Sequence, residues 1–451
     1  MRSKEGMAKK QLTIEEKLEA ALVPVEEQPY KVPDNWCWVR LGAVCSFVGG
    51  GTPSKQNPEF WNGNISWASV KDIKGDYLFE TIDSITEIGC QNSATNICEE
   101  NDLLLVTRIE PGKTIISKIR TAINQDIKIV KSELPAEPLH YFFKTFRYEF
   151  IQRASGSTVK GITIPSVQNV PLPLPPQKEF NRIVTRIESF FAKLDEAKEK
   201  IQEVLDGADL RRAAILHQAF TGKLTEKWRR EKGVSDDSWD EKIFNDVLDV
   251  RDGTHDSPVY YDEGFPLITS KNLKNGQIID DNVKYISRAD YEKINERSKV
   301  DIGDILFAMI GTIGNPVVVE EEPKFAIKNV ALFKSIGNVN PYYVRYYLES
   351  KWVIDKMERE AKGSTQKFVS LKYLRNFPIR VPVEDEQKEI VRLLDNLLSR
   401  EQSTVTACEE ALTTIDTLKK SILARAFRGE LGTNDPAEPN AKELLKDILS
   451  A

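Results

Sequence analysis

The chain has 451 residues, 40% of them apolar and 29% charged, which leaves room for about three domains of ordinary size and excludes a disordered or fibrous polypeptide. No apolar run approaches the roughly 18 residues of a membrane span, and the opening MRSKEGMAKKQLTIEEKLEAAL has no signal-peptide core, so a cytoplasmic location is expected. A net charge of −6 gives no overall attraction for nucleic acid. The five cysteines (Cys37, Cys45, Cys90, Cys98 and Cys408) form no CxxC and are odd in number, so inert thiols are expected and neither a zinc site nor a disulfide framework; no cofactor is expected either.

In chain order, an N-terminal extension (1–35) carries a short amphipathic helix candidate, TIEEKLEAALV. Residues 36–175 mix short β-rich runs with turns; DLLLVTRI from Asp102 and TAINQDIKIV from Thr121 read as strands. An aromatic-rich helix follows, PLHYFFKTFRYEFIQRASG, with Gly156 expected as its left-handed closing residue. Residues 176–232 read as a first long helix. There Phe180, Ile187, Leu194, Ile201, Ala208 and Ile215 recur every seven positions with Ile183, Phe190, Ala197 and Val204 beside them, a coiled-coil seam. The texture then returns: 233–382 holds the strand-like DILFAMI and FAIKNVALFK and the helix PYYVRYYLESKWVIDKMEREAKG, closed by Gly363. Residues 383–432 form a second long helix on Leu394, Leu397, Cys408, Ala411, Ile415, Leu418 and Ile422, weakened by Glu401 and Thr404, and a short amphipathic helix occupies 433–451.

The return is a duplication. GSTVK at Gly156 reappears as GSTQK at Gly363, and 363 − 156 = 207; Asn169 and Pro171 reappear as Asn376 and Pro378, and ILHQAFTGKL from Ile215 as ILARAFRGEL from Ile422, at the same shift. QKEFNRIV from Gln177 matches QKEIVRLL from Gln387 at a shift of 210, which implies a three-residue insertion before the second helix and a compensating loss within it. Two helices of about 40 residues span about 60 Å each, and neither has a stripe suited to solitary life in water. The economical α+β arrangement packs them antiparallel about a pseudo-twofold axis, with two similar heads held at a fixed distance. Ile187, Leu194, Ile201, Ile215, Leu394, Leu397, Ile415 and Ile422 form the expected helix–helix interface. Phe180, Phe190, Phe191, Leu194 and Phe220 exceed what one narrow seam can bury, so some are expected to pack on a head or on another subunit. An object with such a dyad suits two half-sites on one face of a DNA duplex.

WCWVRLGAV, GSTVKGITIP followed by PLPLPPQKE, GKLTEKWR, ILFAMIGTIGN and SILARAFRGEL together resemble the specificity subunit of type I restriction-modification systems, over about Trp36 to Leu431. The resemblance implies that each head is a target-recognition domain reading one half of a split sequence in double-stranded DNA. It also implies that the helices serve as ruler and dock for two methylation subunits, that a separate restriction/translocase subunit joins them, and that the chain itself is not an enzyme. The residues agree on the last point. PGKT at Pro111 fails the phosphate-loop pattern because Thr107 stands where its first glycine belongs, and NPEF at Asn57 has Glu59 where an NPPY-like methyltransferase motif has proline. His140, His217 and His255 lie far apart beside no nucleophile motif and are expected as surface or capping residues. Two rival readings are a fused methyltransferase, which lacks its motifs here, and a coiled-coil scaffold with two non-DNA binding modules. The short helices near the termini either cover the paired helices or contact the methylation subunits.

Candidate DNA contacts sit in paired loops: Lys71 with Lys271 and Asn272; Asn124 and Gln125 with Lys328 and Asn329; Arg108 and Lys113 with Thr312 and Asn315. Lys55 follows the Gly-rich turn GGGTP, and His255 lies within its counterpart DGTHD. Asn and Gln can pair with adenine, and Arg or Lys with guanine. Lys160 and Lys367 have two open roles, phosphate contact or a place in the junction between head and helix. Asn124 and Asn329 could equally hold turns, and the Gly-rich stretches could be tight turns or bulges. The differing loops NPEFWNGN (57–64) and SPVYYDEGF (257–265) imply different half-sites and an asymmetric target.

Overall fold

The structure is a computed structural model and describes residues 13–363 and 366–450. Residues 1–12 of the N-terminal extension, Ser364 and Thr365 of the second pentapeptide, and Ala451 lie outside the described residues. Contacts divide the chain into two compact units, one of Met1–Lys200 with Ala411–Ala451, the other of Ile201–Glu410. Both division points fall inside long helices, so each unit takes the start of one helix and the end of the other.

In the first unit the apolar run Leu103–Val106 is the middle of a five-stranded sheet, with Ile127–Ser132 and Cys45–Gly49 on one side and Thr114–Ser117 and Tyr77–Leu78 on the other. The run is apolar at every position because both faces are covered. Leu103 and Leu105 face the helices with Ile116, Val130, Phe142, Phe180 and Ile187, whereas Leu104 and Val106 face a second sheet with Ile115, Ile123 and Ile129. That second sheet has the order Asp83–Ile85, Trp61–Ala68, Thr121–Ile123, Asn96–Cys98. TAINQDIKIV is therefore two strands in different sheets, and residues 124–126 are the crossing between them.

The second unit repeats the plan. Ile305–Ala308 lies between Val330–Ser335, itself beside Leu248–Asp252, and Gly314–Val318; a smaller sheet runs Lys284–Ile286, Phe265–Ile268, Ala326–Ile327. Ile305 and Phe307 face the helices and Leu306 and Ala308 the smaller sheet, the same alternation. Each aromatic-rich segment is broken in two, into Ala136–Thr145 and Arg147–Gln152 and into Pro341–Glu349 and Lys351–Glu360. Gly156 and Gly363 do have positive φ (122° and 100°), but they lie beyond the helix ends in a tight loop. A Cβ there would meet the Val159 or Gln366 carbonyl at 2.2 Å, so loop closure and not helix termination requires glycine.

Gln177–Asp206 and Ala208–Phe220 form the first long helix, interrupted at Gly207, and Glu384–Ala426 the second. In the first unit they run antiparallel: Asp195 pairs with Lys419 and Lys198 with Asp416, so three residues forward on one helix go with three back on the other. In the second unit Arg211 reaches Glu401 at 2.7 Å and the Val204 carbonyl at 2.7 Å, its guanidinium lying where a Cβ on residue 207 would project. Of the residues proposed for the helix–helix interface, Ile187, Leu394 and Ile415 are buried and Leu194, Ile201 and Ile215 half-buried. Leu398 and Leu423 are buried where Leu397 and Ile422 are half-buried, and Leu418 is 45% exposed. Of the surplus aromatics, Phe180 enters the first core with Phe191 against it and Phe220 the second against Tyr343 and Tyr347, while Phe190 stays half-buried under Arg186 of its own helix.

The helices also correct the repeat. Pro171–Leu174 corresponds to Pro378–Val381, the helix starts are Gln177 and Glu384, and the buried pairs are Ile183 with Ile390 and Ile187 with Leu394, all 207 apart. No insertion precedes the second helix; the QKE echo at 210 is a slip of nearly one turn along an amphipathic surface. In the true register Glu179 matches Glu386, and both are fully buried. Glu179 accepts from Trp36 Nε1 (2.7 Å), Thr433 Oγ1 (3.0 Å) and Asn434 Nδ2 (2.9 Å); Glu386 accepts from Thr225 Oγ1 (2.6 Å) and Arg229 Nη1 (2.7 Å). Each donor set comes from the segment that follows the other helix or from the strand entry, so the carboxylates tie distant pieces of one unit together.

His140 is buried, not on the surface, with Nδ1 2.9 Å from Thr114 Oγ1 and Nε2 3.2 Å from Asp76, while His217 is exposed. The terminal helices pack on the first unit: Ile14–Ala21 lies on Ala441–Ser450, Lys17 Nζ donates to the Leu449 carbonyl at 3.0 Å, and Ala441 and Leu445 join the core. Burial pushes the Cys37 and Cys45 thiols up to about 12, consistent with inert roles. No described helix is long and apolar enough to cross a membrane.

Arg229→Ala would strand the Glu386 carboxylate and should destabilise the second unit by about 3–5 kcal/mol, read in denaturant titrations through Trp239. Lys419→Ala removes a partly exposed pair and should cost under about 1 kcal/mol. Hydrogen bonding from His140, then Lys144, holds the Asp76 carboxyl below its ordinary range. Its folded pKa is depressed, so its contribution is full above the unfolded value near about 4 and is lost as pH falls further. Asp76→Asn should therefore weaken the first unit at neutral pH and flatten its acid-unfolding curve.

Candidate nucleic-acid interface

In the first unit the crossing at 124–126 is built by its own side chains. The Asp126 amide donates to Asn124 Oδ1 at 3.0 Å, closing an Asx-turn, and the Asn124 amide donates to the Ala68 carbonyl at 3.0 Å. The buried Asp126 carboxylate then gathers Gln125 Nε2 (3.1 Å) and Arg108 Nη1 (3.1 Å), leaving the Arg108 side chain 52% exposed. Thr52 donates to Gln125 Oε1. The loop after Leu103–Val106 is laced to the GSTVK loop, with Ile109 N–H donating to the Lys160 carbonyl (2.9 Å) and Ile162 N–H to the Thr107 carbonyl (2.8 Å). Arg108, Gln125, Lys160 and the Thr52 loop thus meet at one rim. Lys71 is exposed in the turn Val70–Asp72 that directly follows Trp61–Ala68, and exposed Lys55 lies just past Thr52.

The second unit has the corresponding rim with different chemistry. Gly311 N–H donates to the Lys367 carbonyl at 2.8 Å, which matches Gly311 to Ile109 and Lys367 to Lys160. Lys328 N–H donates to the Ile268 carbonyl (2.8 Å), as Asn124 does to Ala68, and Asn329 takes a left-handed φ of 55°. The buried carboxylate here is Asp252, paired with Arg297 and 2.9 Å from His255 Nε2; His255 Nδ1 lies 2.8 Å from the Asn329 side-chain amide. Lys328 Nζ bonds Ser257 Oγ at 2.6 Å. Lys271 and Thr312 are exposed nearby.

Several expected contacts turn inward. Asn272 is buried, its Oδ1 accepting from Thr269 N (3.0 Å) and its Nδ2 donating to the Ile279 carbonyl (2.9 Å), so it caps a turn and has nothing to offer a duplex. Asn124 is likewise consumed by its turn. Lys113 pairs with Glu110 at 2.7 Å, and Asn315 sits half-buried at φ 50° within the strand Gly314–Val318 instead of a loop. The Gly-rich turns are internal: a Cβ on Gly50 or Gly253 would lie 2.3 Å from the Ile123 or Ile327 carbonyl oxygen. Asp126, Asp252 and Arg297 went unnoticed in the sequence, because an acidic residue is not sought on a nucleic-acid surface and Arg297 comes from the helix Arg288–Ser298. For the two aspartates the one available signal is their position next to Gln125 and within DGTHD; Arg297 carries none.

A family model described as type I restriction modification DNA specificity domain matches residues 33–206 and again 236–410. The chain is 27% identical to the type I restriction enzyme EcoBI specificity subunit of Escherichia coli over 310 residues, 63% of each chain. It is 25% identical to the EcoKI specificity subunit of Escherichia coli strain K12 over 446 residues, 90% of this chain and 92% of that one. With the MjaIX specificity subunit of Methanocaldococcus jannaschii the identity is 24% over 429 residues, 89% of this chain and 94% of that one. Among solved structures, a chain from work on complex assembly and conformational transition of the type I R-M system superposes with a TM-score of 0.67 at 19% identity, covering 89% of this chain and all of that one. The HsdS subunit from Thermoanaerobacter tengcongensis gives 0.62 at 18% identity, covering 90% and 100%. These two likenesses establish the fold. Matched twice, over more than half its length, by one model, the chain belongs to the type I restriction modification DNA specificity domain family.

Proposed function

We propose that the chain is the DNA sequence-recognition subunit of a type I restriction-modification complex and has no catalytic activity of its own. The observation that carries this reading is the pair of matching rims on one scaffold. Each has a buried carboxylate behind exposed hydrogen-bonding side chains: Asp126 behind Arg108 and Gln125, Asp252 behind His255 with Asn329 bonded to the imidazole. Holding a reading group from behind fixes its direction, which base-edge contact requires. Residues 36–175 and 233–382 are then the two target-recognition domains. Since one rim presents Arg and Gln and the other His, Lys and Asn, the two half-sites differ and the target is asymmetric.

Lys71, Lys160, Lys271 and Lys367 are exposed and take the phosphate-positioning role, with Lys55, Lys328 and Thr312 beside them. A chain with net charge −6 neutralises few phosphates alone, so two methylation subunits supply much of the attraction, and a restriction/translocase subunit completes the nuclease. The long helices set the spacer and dock the methylation subunits. Support for the spacer role lies in their length and in the ion pairs that tie them within each unit, Asp195 to Lys419 and Arg211 to Glu401.

With both methylation subunits present, Arg108→Ala should relax discrimination at one base pair of one half-site by about 1–3 kcal/mol. Lys160→Ala should instead weaken all sequences alike and reduce the salt slope by about 1. Both are read by binding to a duplex panel at several salt concentrations; a scaffold with non-DNA modules would show no salt-dependent binding. Inserting equal numbers of residues into both long helices should change the spacer and leave both half-sites intact, as mapped by methylated-site sequencing, and an unchanged spacer would refute the ruler.

A further inference from the structure

Ile109 stands out at the first rim. Its φ is 73°, and the Glu110 amide donates to the Arg108 carbonyl at 2.9 Å across it, so the side chain tips a γ-turn of the strained, positive-φ kind. A β-branched residue in that conformation is a true outlier. The loop holds it there: Ile109 N–H is tied to the Lys160 carbonyl, Gly112 N–H to Val106 (3.0 Å) and Val106 N–H to Lys113 (2.8 Å). The corresponding residue of the second unit is Gly311, with φ 81°, which adopts the shape without strain. Yet Ile109 does not offset its strain by packing, for it is 57% exposed. It joins no core cluster, and it follows directly on Arg108, which Asp126 holds. An apolar side chain held outward at this expense to the fold suits a partner that supplies the apolar contact.

Resting on the DNA-recognition reading above, we propose that Ile109 is a specificity-determining residue that contacts the C5-methyl group of a thymine in the half-site read by the first unit. The thymine methyl is the apolar feature of the major-groove edge, and Arg108 and Gln125 beside it carry polar groups suited to the neighbouring base edges.

The assay uses the chain assembled with its methylation subunits. The target is first mapped by methylated-site sequencing, and duplexes are then made in which each thymine of the half-site is replaced singly by uracil, which removes only the methyl. In the wild type one such replacement should weaken binding by about fourfold, the factor that burial of one methyl group corresponds to. In Ile109→Gly that same replacement should have no effect, and the melting temperature of the variant should be equal to or above that of the wild type, since strain is relieved. Uracil effects that are the same in both proteins, or absent from both, overturn the proposal. So does unfolding of the first unit in Ile109→Gly, which would make the side chain structural. Enhanced fluorescence of 2-aminopurine at the contacted step, quenched back in the variant, would replace methyl contact by wedging and also overturn it. If no defined two-part sequence is methylated at all, the parent reading fails instead.

Discussion

Neither core of this protein is closed by one copy of the repeat. The first requires Phe180, Ile183 and Ile187 from the start of one long helix and Leu423, Ala426 and Phe427 from the end of the other; the second requires Ile390, Leu394 and Leu398 together with Leu216, Ala219 and Phe220. Burial of apolar surface is the dominant favourable contribution to folding, and here it makes helix pairing and head folding one event within each unit. Glu179 and Glu386 reinforce this. A carboxylate in the first turn of a helix suits the dipole there, and once buried it tolerates only the donors that reach it.

The same economy explains the rims. A chain that passes from one sheet to the next must turn sharply, and the turns at 124–126 and 328–329 do so with Asx geometry or a left-handed Asn. Turn residues bonded to rigid strands on both sides are fixed platforms, which is where binding groups gain most from a scaffold. The turns differ between the copies while the central strand order and its alternation of faces are kept. One plan therefore carries two chemistries: an Arg–Asp pair with a strained apolar tip in the first unit, and a His–Asp–Arg chain with an unstrained glycine in the second.

The sequence alone determined the duplication, the alternation of strand-rich and helical stretches, the heptad stripes and the polar loops that follow the strands. All of these are periodic or local patterns, written in residues adjacent along the chain or one helical turn apart. Only the tertiary structure decided the repeat register of the second helix, because an amphipathic surface looks much the same after a slip of three residues, and the helix starts and the burial of Ile390 and Glu386 distinguish the alternatives. It also decided which polar loop residues face outward. Asn272 and Gln125 read alike as amides in turns, yet one is consumed by Thr269 and Ile279 while the other is braced at the rim by Asp126. Hydrogen-bond partners brought together from distant segments carry no local signature, so the side chains available to a partner are known only once the fold has spent the rest.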